Sequence, residues 1–199
     1  IGNEALSANT SGARNTAVGY YSMNETTTGD NNVATGYYAL YTNVSGDNNT
    51  ATGYGALYTN AADGNTATGY NAMFDNTDGS DNTAVGKDAM YTNTTGSNNV
   101  AIGYKALFSE TTGTSLTAVG YQALYSNDQS NDNTAIGYQA LYSNTDGIRN
   151  TASGYQCLYT NTTGNNNTAS GLYALRYNTT GDHNVSSGYN TLASNTTGD

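Results

Sequence analysis

Apolar residues return along this chain at a fixed interval, separated by runs of polar turn formers. Leu or Met stands at Leu6, Met23, Leu40, Leu57, Met73, Met90, Leu107, Leu124, Leu141, Leu158, Leu175 and Leu192. Each step is 17 residues except that from Leu57 to Met73, which is 16. Two families of glycines keep the same phase, one running from Gly2 and Gly19 to Gly188, the other from Gly12 and Gly29 to Gly198. Self-similarity at one short period is the signature of a repeat architecture. The unit reads roughly T-A-V-G-Y-Q-A-L-Y-S-N-T-T-G-D-N-N, and its positions are numbered below from the first Thr.

Seventeen residues are too few for any two-helix repeat. T-A-V-G-Y places β-branched and aromatic residues at alternate positions, while N-T-T-G-D-N-N is a string of turn formers. The pattern therefore predicts an all-β fold, a parallel β-solenoid or β-roll of about twelve 17-residue coils. Each coil is expected to hold a short strand, a bend, a second short strand around A-L-Y and a polar loop. With coils about 4.8 Å apart, the rod is on the order of 55 Å long. The absence of Pro fits a backbone whose N–H groups nearly all join ladders.

The eighth position is the expected core stripe, with Ala at the second position and Gly at the fourth where backbones approach closely. Tyr at the fifth position and Tyr or Phe at the ninth are placed to stack from coil to coil. Asn recurs at the eleventh position and at the seventeenth, just before the strand, where amide ladders stabilise stacked strands. The first unit is entered at its third position, and neither end shows a change of composition. Residues 1–199 are thus expected to be a single repeat array taken from a longer fibre protein.

Composition narrows the function classes. The chain has 5 Lys+Arg against 15 Asp+Glu, a net charge of −10, which argues against a nucleic-acid backbone as partner. A single Cys excludes a disulfide framework and a multi-Cys metal site. No apolar run approaches the roughly 20 residues of a spanning helix, so no membrane insertion is expected of this segment. The first four positions of the unit carry no charged residue anywhere in the chain. A strand with one face in its own core ordinarily shows charge on the other. The outer face is therefore expected to meet a second copy of the chain, in a closed homo-oligomer.

Asn99-Val100-Ala101-Ile102-Gly103-Tyr104-Lys105-Ala106 resembles the V-A-I-G-x-x-A core of head repeats in trimeric autotransporter adhesins. Related versions occur in essentially every unit, as at Thr134-Ala135-Ile136-Gly137-Tyr138-Gln139-Ala140. The fuller N-T-A-x-G-Y-x-A-L-Y-x-N-T-T-G form is similar to arrays in bacterial and phage tail-fibre-type proteins. What the resemblance implies is a left-handed, homotrimeric roll used as a surface or virion fibre.

Chemistry finds little foothold. His183 is expected to be a solvated loop residue, and Cys157, at the seventh position, a small buried thiol. No catalytic, cofactor or metal residue is assigned, and the ligand-binding residues are left open. Asp30, Asp47, Asp182 and Asp199 share one loop position, but a per-coil calcium site needs a carboxylate in every coil. Sequons at Asn9, Asn24, Asn43, Asn48, Asn93, Asn161, Asn166, Asn178, Asn184 and Asn195 are what Asn/Thr-rich turns generate.

The leading expectation is a non-enzymatic fibre or shaft module, extracellular, on a cell surface or on a virion, with itself as partner. The alternatives are an adhesin head whose loops bind a surface glycan or matrix protein, and a self-assembling extracellular filament. A third is an ice-binding solenoid built on pairs such as Thr50/Thr52 and Thr66/Thr68.

Overall fold

The computed structural model describes residues 1–199 and is a parallel β-solenoid without helix. Eleven three-residue strands, from Thr16–Val18 to Val185–Ser187, form one continuous parallel sheet. Register follows the period: Thr16 pairs with Val33 and Ala17 with Ala34. The unit beginning at Ile1 adds no strand, although the Ile1 carbonyl accepts from Gly19 N at 2.8 Å. The 16-residue coil does not disturb the sheet, because Thr50 still pairs with Thr66. Its missing residue comes out of the loop between Asn60 and Asn65. There the Ala62 carbonyl accepts from Asn60 Nδ2 at 2.7 Å and Asn49 Nδ2 at 2.9 Å, taking over the role that a position-14 glycine carbonyl has in other coils.

The second strand expected around A-L-Y is not formed. That segment is a succession of turns with positions 6 and 8 in left-handed backbone, as at Gln139 (φ 52°) and Leu141 (φ 50°). Thr42–Asn43 and Thr59–Asn60, slightly further along the coil, pair as a two-stranded patch, continued by a single parallel bridge from Thr59 to Asp75. The cause is closure: so short a coil must bend sharply around a narrow core. Left-handed backbone costs a non-glycine residue about 1–2 kcal/mol. Burying the Leu contributes roughly 1.5–3 kcal/mol, so the core side chain offsets the strain of its own backbone. Backbone bonding also continues through the bend. Gln139 N donates to the preceding coil at Tyr121 O (2.9 Å), and Leu141 N donates to the following coil at Cys157 O (3.0 Å).

Each strand sends its middle residue inward and the flanking two outward. Behind the strands, the position-2 alanines, the position-7 alanines and Cys157, the Leu/Met column and Leu116 make one apolar cluster of 30 buried residues. The position-4 glycine lies where that column is tightest: Gly120 has φ +137°, and a Cβ there would stand 2.3 Å from the Gly137 carbonyl oxygen.

Candidate functional site

Three side-chain columns bind the coils together from within or along the loop. At position 11, from Asn60 onward, each amide except Asn127 donates to the amide oxygen of the preceding coil and to its own turn. Asn178 Nδ2 donates to Asn161 Oδ1 and to the Gly181 carbonyl, both at 2.9 Å. At position 17 the amide oxygen accepts the next coil's backbone N–H, as Asn32 Oδ1 does from Asn49 N at 2.8 Å, while Asn32 Nδ2 donates to the Gly46 carbonyl at 2.8 Å. A buried polar group left unpaired costs about 1–3 kcal/mol, so these columns need complete pairing to be stable. At position 15, the loop position shared by Asp30, Asp47, Asp182 and Asp199, the side chain accepts a backbone N–H of the preceding coil. Asp47 Oδ1 takes Asp30 N at 2.7 Å, Asp182 Oδ1 takes Asn165 N at 2.6 Å, and Asn131 Oδ1 takes Thr114 N at 2.7 Å.

The position-11 and position-17 columns share one interruption, and buried Thr26 breaks position 11 on its own. Position 11 of the coil starting at Val100 is Glu110, fully buried, and position 17 of the same coil is Leu116. Glu110 Oε1 accepts from Thr112 N at 2.8 Å and from Gly113 N, and Oε2 accepts from Asn127 Nδ2. Burial pushes its carboxyl above the usual carboxylate range against the pull of these hydrogen bonds. Sequence reasoning missed it; the departure from Asn at that register was the signal available.

Outside, the sheet presents two columns of β-branched or small hydroxyl residues, at positions 1 and 3. Val18 is 40% exposed, Ile102 40% and Ile136 46%. No charged residue interrupts these columns. Beside them runs the fifth-position column, where Tyr121 and Tyr138 stack at 5.0 Å and Tyr138 and Tyr155 at 4.8 Å. Lys87 breaks it and lies over the Tyr70 ring at 5.5 Å. A second column at position 9 stacks without a break from Tyr41 through Phe74 and Phe108 to Tyr159. Arg176 then continues it, its guanidinium 5.9 Å from the Tyr159 ring centre. Burial raises the phenol pKa values of Tyr58, Tyr91 and Tyr142.

The remaining candidates from the sequence fall where turn and core chemistry put them. His183 is exposed in a left-handed turn (φ 59°). Cys157 is a free, buried thiol whose pKa is pushed up to about 12 by burial. Asp30, Asp47, Asp182 and Asp199 each bond to backbone N–H of the preceding coil, and no three His, Cys, Asp or Glu side chains come together. Of the sequon asparagines, Asn43, Asn93, Asn161 and Asn178 are buried in the position-11 column. Thr hydroxyls at position 12 donate to the next coil's carbonyls, as Thr94 Oγ1 does to Thr111 O at 2.9 Å. The chain matches no protein-family model, no curated protein and no solved structure.

Proposed function

We propose that the chain is a structural shaft: a stiff segment of a surface or particle fibre, in which several copies lie side by side with their uncharged sheet faces against one another. The observation that carries this reading is that face. Eleven in-register strands present Thr, Val, Ile and Ser outward, with no charge to disfavour association. Flat exposed faces of this kind ordinarily bind something, and a periodic face is best matched by the same period in another copy. The resemblance to trimeric adhesin head repeats adds the finer reading of a left-handed roll and three copies.

Stiffness comes from the continuity of bonding. Backbone ladders are joined by two interior amide columns and two aromatic stacks, so bending between coils strains all of them together. The loops favour the shaft over ligand capture, because their Asn, Asp and Thr side chains are largely engaged in holding the coils. Electron microscopy of the purified chain tests the shaft. The expected particles are straight rods of uniform width, on the order of 50 Å long at about 4.8 Å per coil; compact or flexible particles contradict it.

A further inference from the structure

We propose that Glu110 is a proton-binding site inside the solenoid: its carboxyl is held neutral and donates its O–H to Asn93 Oδ1, closing the position-11 column where the amide donor is missing. Everywhere else around this point the column runs from N–H to oxygen between successive coils. Asn76 Nδ2 donates to Asn60 Oδ1 at 2.7 Å and Asn93 Nδ2 to Asn76 Oδ1 at 2.6 Å. The next donor in that series belongs to the coil of Glu110. Asn93 Oδ1 is buried and has no hydrogen-bond partner. An ionised carboxylate has only acceptor oxygens and would set one acceptor against another, whereas the protonated acid supplies the single O–H the column lacks.

The two carboxyl oxygens divide the work. Oε1 already accepts from Thr112 N and Gly113 N, and Oε2 accepts only from Asn127 Nδ2. The proton belongs on Oε2, which keeps its bond from the following coil and donates to the preceding one. Glu110 belongs to no group of three His, Cys, Asp or Glu side chains that could hold a metal ion. Its immediate partners Asn93, Asn127, Thr112 and Gly113 are all uncharged. The charged residues of its own and flanking coils are Lys87, Asp88, Lys105, Asp128 and Asp132, and none forms an ion pair with it. Burial, the dominant influence, raises the carboxyl above its ordinary value of 4.5.

This makes the middle of the rod acid-stabilised. A carboxyl whose folded pKa is raised contributes its stabilisation fully below the unfolded pKa and loses it as pH rises through the folded one. Ionisation at high pH leaves a buried charge and the orphaned Asn93 oxygen facing it.

Glu110→Gln tests the proposal, since its amide offers an N–H without titrating; Glu110→Asn, the column's own residue, serves as a second variant. The urea midpoint of the wild type is expected to fall relative to both variants as pH rises from about 4 to about 9. Infrared difference spectra, wild type minus variant, are expected to show a protonated carboxyl C=O stretch at neutral pH. Parallel pH profiles, or a carboxylate signal alone at neutral pH, overturn it.

Discussion

Asn161 Nδ2 donates to Asn144 Oδ1 at 2.8 Å and to the Gly164 carbonyl at 2.9 Å, so one buried amide ties its own turn to the coil before it. Asn161 Oδ1 in turn accepts from Asn178 Nδ2 at 2.9 Å. Interior cohesion therefore draws on buried amides as well as on hydrocarbon.

Replacing Asn161 by Ala removes those bonds and leaves buried partners in both neighbouring coils. The expected destabilisation is about 2–4 kcal/mol in urea unfolding, from orphaned groups costing about 1–3 kcal/mol each. Thr163→Ala, at an exposed loop position, is the control and is expected to change stability by less than about 0.5 kcal/mol. Equal effects of the two substitutions would show that the amide column is not structural.

Gly120→Ala is expected to be among the most damaging single changes. Its Cβ would meet the Gly137 carbonyl oxygen at 2.3 Å, and its φ of +137° is closed to L side chains. Neither backbone can yield without breaking the adjoining strand ladder. A loss of more than about 4 kcal/mol, or failure to fold, is expected from circular dichroism and denaturation.

Cys157 offers a probe of core closure. With its pKa at about 12, the thiol stays protonated and buried throughout the neutral range. A thiol reagent at about pH 8 is expected to label the native chain only at the rate of unfolding, and to label the urea-unfolded chain at once. Rapid labelling of the native state would mean that the seventh position is open to solvent.

Much of this architecture is legible in the sequence because one residue type recurs at one register. Leu141 and its counterparts from Met23 to Leu175 are buried as the period predicts, whereas Leu6 is partly buried and Leu192 is exposed in the terminal coils; Ala135 lies beneath the strand, and Asn144 pairs in its column. What the period could not supply is backbone conformation. Leu and Gln have no intrinsic preference for left-handed backbone, so the bend at Gln139 and Leu141 resembles an alternating strand until closure of the coil is considered. The capping role of Asp47 and Asp182 was hidden for a related reason. Asp, Asn and Ser all accept a backbone N–H, so the shared function leaves no single repeated letter. Glu110 was hidden because its meaning depends on the unpaired oxygen of Asn93 one coil away.

The outer sheet face bears on the central claim, because its columns are uncharged yet open to solvent on a single chain. Ile136, 46% exposed between Val119 and Ser153 of the adjoining strands, lies in the middle of that face. Ile136→Asp is expected to leave the circular dichroism spectrum unchanged, since the side chain points away from the core, but to shift association toward single chains.

The most direct measurement is the molar mass of the wild-type chain by light scattering during size-exclusion chromatography. One chain is 20.7 kDa. A mass of several chains is expected from the uncharged sheet face, about three being the number that the resemblance to trimeric adhesin head repeats implies, and it is expected to be lowered by Ile136→Asp. A wild-type mass equal to one chain across the accessible concentration range contradicts it.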